Sequence, residues 1–443
     1  MRHVTWRGDS RVMTEHPATD TGPAAGQREA AHAFARIGLL SFGGPAAQIG
    51  VMHRILVEEK KWLTESQFLH ALNFCMLLPG PEAMQLATYA GWLLNGVRGG
   101  LIAGLLFILP GLVMMLALAA VFVSHGEVPA VAGLLYGLKA AVLAVVAGAL
   151  VNVSKKALQS RTMVSVAAAA FIAIALLKAP FPLIVIGAGL TGIALARLAP
   201  DMLGAEGDAD ADVLPARTSH GAALRTTAIW IAVWLAPLAV LVAAFGRGHV
   251  YADAALFFSK TAVVTFGGAY AVLAYVGQQA VELHGWLTPD EMLAGLGLAE
   301  TTLGPLVLVL VFVGYLAGGL TGGLIAAFFT FAPCFLWIFA GAPFVERLRH
   351  VRWLAAGLST ITAAIVGVIA NLALWFGLHV LFGDYRETAI GPFYLPQPDV
   401  AGLDLAALAI ALGAGVALIR FRANMMAVLA VAALAGLAVQ AAG

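Results

Sequence analysis

Charge is what this sequence has least of. Only 11% of its 443 residues are Asp, Glu, Lys or Arg, while 61% are apolar and the mean hydropathy is +0.91. A soluble domain carries about 25% charged residues, so this chain cannot clothe a wet surface. Runs of short alternating strands are also missing, which argues against a transmembrane barrel. Cysteine is scarce: Cys75 and Cys334 both fall in apolar segments and read as buried, reduced thiols. No Cys/His spacing suggests a metal, and no cofactor is implied. With a net charge of +1 and scattered basic residues, nothing calls for a nucleic-acid partner. Residues 1–29 hold Arg2, Arg7, Arg11 and Arg28 but lack the apolar stretch of a cleaved signal, and read as a disordered tail.

What is present is apolar length. Leu101 to Val123, Thr226 to Gly246 and Gly304 to Pro343 contain no charged residue, each at least the ~20 residues that a helix needs to cross hydrocarbon. Backbone groups in lipid must pair within the segment, so these runs are helices. The expectation is an all-α polytopic membrane protein with about thirteen crossings, in a range of ten to thirteen. Six lie in residues 30–198: Phe34 to Val57, Phe68 to Leu94, Leu101 to Val123, Val131 to Val151, Val164 to Leu177 and Pro182 to Leu198. A polar linker, 199–225, and a lone connecting helix, 226–246, lead to six more in 250–443. These are Ala254 to Val281, Met292 to Leu316, Leu324 to Phe339, Trp353 to Leu381, Leu405 to Ile419 and Met425 to Val439. The acidic run Asp208, Asp210 and Asp212 in the linker lacks the rest of a calcium loop and reads as a solvated segment.

The two six-segment sets are copies. With Phe34 laid on Phe258, Phe42, Gly43, Gly44, Val57, Glu58, Trp62, Leu63, Thr64, Gly80 and Pro81 all meet identical residues without a gap. Arg36 meets Lys260 and Ser41 meets Thr265. Shared apolar composition does not place Phe-Gly-Gly, Trp-Leu-Thr and Gly-Pro in one register, so this is an internal repeat. With the amino terminus cytoplasmic, the loops outside hold only Arg54, Lys60, Lys61, Lys178, Arg247 and Arg386. Of 25 basic residues, three more are intramembrane and sixteen lie inside. The lone helix then inverts the second copy. Inverted repeats build secondary transporters that expose a midplane site alternately to each side.

Three cations lie within apolar segments: Arg36, Lys139 and Lys260. An intramembrane charge is costly and should face protein or water, though residues near helix ends can also snorkel to headgroups. Arg36 and Lys260 precede Ser41-Phe-Gly-Gly-Pro45 and Thr265-Phe-Gly-Gly-Ala269 by the same interval. These clusters, with Leu78-Pro-Gly-Pro81 and Leu303-Gly-Pro305, should interrupt helices. A half-helix beginning at such a break points free N–H groups and a positive dipole end at a cavity, which suits an anion. The expected substrate contacts are therefore Arg36, Ser41, Gly43, Gly44, Pro79, Gly80, Pro81, Lys260, Thr265, Gly267, Gly268, Gly304 and Pro305. Glu82 and Glu300 sit beside the breaks. They, with Lys139, are candidates for coupling; each carboxylate can carry a proton, pair with a nearby cation or, for Glu82, simply cap a helix. Gln85, Thr88, Asn73, Thr301 and Thr302 are neutral donors that also suit ordinary helix–helix bonding. Paired aspartates, His-Glu-x-x-His and a Ser/His pair are all missing at membrane depth, so the chain does not read as an enzyme.

His70-Ala-Leu-Asn-Phe-Cys-Met-Leu-Leu-Pro-Gly-Pro-Glu-Ala83, preceded by Ser41-Phe-Gly-Gly-Pro45 and Trp62-Leu-Thr-Glu65, resembles the chromate ion transporter family in its long two-domain form. The resemblance runs from about Phe34 almost to the end. It implies export of chromate, a tetrahedral dianion, across the bacterial inner membrane, with sulfate as the related oxyanion. The second copy departs from the pattern at Leu303 and Ala269, where the family has proline. A dianion leaving a negative interior gains roughly 4.6 kcal/mol per 100 mV. A channel-like permease, or a carrier for sulfate or another anion, is the alternative.

Overall fold

The computed structural model describes residues 26–198, 220–266, 269–341, 352–383 and 385–442. Most of the expected tail and linker, the basic loop with Arg347 and Arg349, and the glycines Gly267 and Gly268 lie outside the described residues. The first repeat comprises α1 (Gln27–Leu40), α2 (Gly44–His53, extended by a π turn at Arg54–Glu59), α3 (Glu65–Met76) and α4 (Glu82–His125). It ends with α5 (Pro129–Ala157), α6 (Arg161–Ala175) and α7 (Phe181–Leu198). After α8 (His220–Phe245) come α9 (Val250–Val264), α10 (Ala269–Gly277, with a π turn at Gln278–Leu283), α11 (Pro289–Thr301) and α12 (Val309–Gly341). Then follow α13 (Arg352–Phe382), α14 (Leu405–Gly415) and α15 (Met425–Ala442). Among the described residues, seven helices are long and apolar enough to cross a bilayer, and two shorter apolar ones accompany them. The chain is an all-α polytopic membrane protein, and the strands among the described residues form one antiparallel hairpin, β1 (Arg386–Ile390) and β2 (Phe393–Gln397).

Local geometry repeats as faithfully as sequence. Thr64 with Gln67 and Thr288 with Glu291 form matching capping boxes, reciprocal bonds that hold a helix start. The π turns occupy matching positions, as do the left-handed residues Lys61 and Gly285.

α4 is two helices. Asn95 and Gly96 leave helical geometry, Gly96 at φ 63°, ψ −157°, and a Cβ on Gly91 would stand 2.5 Å from that of Ala103. A continuous helix would separate these residues by about 18 Å. Residues 82–94 therefore fold back on 97–125. Gly318 and Gly319 do the same in α12, Gly319 at φ 64°, ψ −156°, with Gly314 against Ala326.

The other short helices also turn back. Glu29 bonds Lys60 and Arg36 bonds Glu59, both at 2.7 Å, so α2 returns along α1. Phe257 meets His284 and Trp286 at 5.8 and 5.5 Å, closing α10 on α9. Phe74 lies 5.2 Å from Tyr89, and Gly295 lies against Phe312, which closes α3 and α11 on the helices that follow them. Four of the expected crossings, from Phe34, Phe68, Ala254 and Met292, are thus helical hairpins, with a Gly/Pro break at the tips after α1, α3 and α11. A 14-residue helix spans about 21 Å, short of the ~30 Å hydrocarbon layer, so a single arm of such a hairpin is too short to cross it.

Beyond the hairpins, the repeats interlock. α6 and α7 pack on α13 of the second copy, while α14 and α15 of that copy pack on α5. Thr360 donates to the Ala188 carbonyl at 2.8 Å, and Tyr136 donates to Asp404, the N-cap of α14. α8 lies at the edge, with Trp230 stacked on Phe335 and Trp234 donating to Ser259.

The backbone at Gly96 and Gly319 is open essentially to glycine alone. Gly96→Ala and Gly319→Ala should each destabilise the fold by about 1–3 kcal/mol, read as a lowered thermal midpoint in detergent. Gly148→Ala, at a helical glycine with nothing within 4 Å of its Cβ position, should leave the midpoint unchanged.

Candidate functional site

A helix broken inside hydrocarbon leaves N–H and C=O groups that must find partners. Here each break finds them in the other repeat. Gly304 N donates to the Ser41 carbonyl and Gly80 N to the Thr265 carbonyl, both at 2.8 Å. The Phe-Gly-Gly tip of one copy is thus bonded to the Gly-Pro tip of the other, twice, about a pseudo-two-fold axis. The long helices share that axis: a Cβ on Gly80 would be 2.8 Å from Cys334 Sγ, and one on Gly111, the repeat counterpart of Cys334, would overlap the Leu303 carbonyl.

Of the predicted contacts, the structure brings Ser41, Pro79, Gly80, Thr265 and Gly304 together in this crossed arrangement. Gly43 caps α2 with φ 85°, Gly44 opens it, and Pro81 and Pro305 stand directly before the helical turns that follow them. Several half-helices therefore begin at the tips with their N–H ends inward. Ser41 and Thr265 are buried, their hydroxyls turned back to the carbonyls of Ile37 and Thr261. Thr88 and Thr302 likewise satisfy themselves on their own helices.

The cations stand apart. Arg36 is half exposed and ion-paired with Glu59 at 2.7 Å. Lys260 is exposed, its Nζ 5.9 Å from the Tyr275 ring centroid. Lys139 bonds Asp290 at 3.0 Å, tying α5 to the start of α11. Glu300 is 3% exposed and accepts a 2.7 Å hydrogen bond from Tyr270. Glu82 is half-buried in the first turn after Pro81. Among the described residues no cluster of His, Cys, Asp and Glu could hold a metal, and both cysteines are free.

Two further polar groups belong to the tips. Gln48 donates to the Gly304 carbonyl at 2.6 Å and Gln85 to the Pro79 carbonyl at 2.7 Å. Sequence reading passed over Gln48 and gave Gln85 no special weight. The available signal was asymmetry, because their repeat counterparts are Val272 and Val309. A separate cavity, lined by Lys178, Gln278, Glu282, Trp375, Tyr385 and Glu387, lies under the β-hairpin. There burial, with Glu387 and Glu282 nearby, pushes the Tyr385 phenol up to about 12.

Two interlocked copies of a hairpin-tipped helical repeat, joined at a buried polar centre, define a polytopic membrane transporter. The model of the chromate transporter family matches residues 28–193 and 252–437, one match per copy. The chain belongs to the chromate transporter family. It is 32% identical over 346 residues to the chromate transport protein of Pseudomonas aeruginosa, covering 76% of this chain and 77% of that one. It is 29% identical over 357 residues to the chromate transport protein of Cupriavidus metallidurans, covering 80% and 83%. A probable chromate transport protein of Synechococcus elongatus is 26% identical over 355 residues, covering 80% and 86%. No solved structure matches the chain.

Glu300→Leu strands the Tyr270 hydroxyl and should destabilise the protein by about 1–3 kcal/mol, whereas Glu300→Gln keeps an acceptor and should cost little. Adding Tyr270→Phe to Glu300→Leu should recover much of the loss, and a double-mutant cycle of detergent unfolding midpoints measures the coupling.

Proposed function

We propose that this protein exports chromate across the bacterial inner membrane by alternating access, with the four hairpin tips as its binding centre. The observation that carries this reading is the crossed pair of backbone bonds, Gly304 to Ser41 and Gly80 to Thr265. Tip N–H groups that an oxyanion would use are held by carbonyl oxygens of the opposite repeat. An arriving anion replaces those carbonyls, and the tips part as it binds. Tip backbone around Gly43, Gly44, Pro79, Gly80, Pro81, Gly304 and Pro305, with Ser41 and Thr265, forms the walls. Arg36 and Lys260 act from outside the tips, raising the local anion concentration. Glu82, directly after Pro81, and Glu300, three residues before Leu303, flank the tips in sequence.

Charge supports an inverted arrangement with a cytoplasmic amino terminus. If the first hairpins return to the side they entered, Arg54, Lys60 and Lys61 join the cytoplasmic set. Their counterparts in the second copy, on the outer side, are the uncharged or weakly basic Gln278, His284 and Gly285. Only Lys178, Arg247 and Arg386 then remain in outer loops. Each negative charge moved outward gains about 2.3 kcal/mol per 100 mV, so the membrane potential favours export.

Purified protein in liposomes with the potential clamped should carry chromate saturably and show counterflow. A linear, non-saturating flux would identify a channel, and no chromate flux from folded protein would end the chromate reading. In the same assay Gly111→Ala should lower flux at least tenfold with insertion intact, because its Cβ would overlap the Leu303 carbonyl. Lys260→Gln should raise the half-saturating chromate concentration several-fold, and more than Arg36→Gln, whose charge Glu59 already balances. Equal, parental behaviour of both variants would remove these cations from the anion path.

A further inference from the structure

The two glutamines at the tips are left half-bonded. Gln48 is 1% exposed and Gln85 0%, and each donates an amide N–H to a tip carbonyl. Since a carbonyl only accepts, these bonds fix which end of each amide faces the backbone. Among the described residues neither Oε1 atom has a hydrogen-bond partner. One such oxygen accompanies each crossed pair: Gln48 stands at Gly304–Ser41 and Gln85 at Gly80–Thr265. Their repeat counterparts, Val272 and Val309, carry no polar group. An unpaired buried acceptor is destabilising and rare, so two of them at the tips point to a donor that arrives with the substrate.

The charge around the tips supports the same conclusion. Among the described residues Glu300 is the one buried charged side chain, and Glu82 opens the helix that carries Gln85. Arg36 and Lys260 are exposed, and Lys139 is paired with Asp290. The cost of taking an ion out of water rises with the square of its charge. Half-helix ends with backbone N–H groups hold a monoanion at less desolvation cost than a dianion, which gains more from a buried cation beside it.

We propose that the species bound at the tips is the hydrogen form of the oxyanion, a monoanion. Its hydroxyl donates to Oε1 of Gln48 or Gln85, and its other oxygens take the tip N–H groups. This rests on the chromate reading above. Chromate is a weak base that takes up a proton near neutral pH, whereas sulfate and selenate, tetrahedral dianions too, do not. Gln48 and Gln85 are thus specificity-determining residues that sort oxyanions by basicity rather than by size.

The ionisable groups on the elements around the tips are Glu82, Glu300 with Tyr270 from α10, Cys334 of α12 against Gly80, Cys75 and His70 of α3, His53 of α2 with Glu58 and Glu65, Lys260 of α9 beside Tyr275, and Arg36 of α1 with its partner Glu59. Residues 99–124 of α4 carry no charged side chain.

The test is initial chromate flux into proteoliposomes of the full chain, at zero potential, with external pH varied from mildly acidic to mildly alkaline. Above neutrality the half-saturating total chromate should rise about tenfold per pH unit, and should be constant when expressed as hydrogen chromate. Selenate in excess should compete weakly. Gln48→Leu and Gln85→Leu should weaken chromate and narrow its advantage over selenate. Glu82→Gln and Glu300→Gln should keep the pH profile. Half-saturation independent of pH, or selenate competing as well as chromate, overturns the proposal. So does loss of the profile in either carboxylate variant, which would place the proton on the protein. In each of those cases saturable chromate flux survives; its absence at every pH instead defeats the chromate reading itself.

Discussion

The structure depends on an exchange of backbone hydrogen bonds between two copies of one repeat. A break in a helix at membrane depth exposes N–H and C=O groups to a medium that offers no water. Gly80 and Gly304 resolve this by donating to Thr265 and Ser41, each across the repeat boundary. Neither copy can complete its own tips. Sequence duplication here supplies the missing bonding partner as well as symmetry, which explains why Phe-Gly-Gly and Gly-Pro persist in both copies while much else has drifted.

The same bonds set the terms of motion. In the proposed cycle a ligand oxygen takes each donor in place of a carbonyl, and the freed carbonyls turn to water admitted as the tips part. The long helices beneath cannot yield in the same way. Gly111 lies on the Leu303 carbonyl and Gly80 on Cys334, with no room for a methyl group. On the proposed alternating access, the hairpins would move as rigid bodies against α4 and α12 rather than by bending of those helices.

Much of this was legible in the sequence. The scarcity of charge gave the membrane class, the register of Trp-Leu-Thr and Gly-Pro gave the repeat, and the resemblance of residues 70–83 gave the family, which the match over both copies bears out. The breaks expected at Ser41 to Gly44, Leu78 to Pro81 and Leu303 to Pro305 occur there, whereas the one at Thr265 to Ala269 includes Gly267 and Gly268, which lie outside the described residues. What stayed hidden is tertiary. An apolar run of Phe34 to Val57 has the same length whether the chain continues or turns back, so hairpins read as crossings. Arg36 seemed unpaired because Glu59, 23 residues on, comes near only when α2 reverses along α1. Gln48 looked like one polar residue on an apolar helix; its meaning comes from Gly304, in the other copy. The β-hairpin at Arg386–Gln397 lay in a stretch read simply as a loop between helices.

The interlocking of the outer helices bears on how such a chain is made. α6 and α7 leave the ribosome long before α13, the helix they finally cover, and α5 waits longer still for α14 and α15. Half of this protein must therefore sit in the bilayer with its packing faces turned to lipid until the other half is synthesised. Helices whose seams are small and apolar tolerate that wait, since lipid wets them as readily as a neighbour does. The polar tips cannot, and they offer a reason for the hairpins to close early and open again only when the second copy arrives.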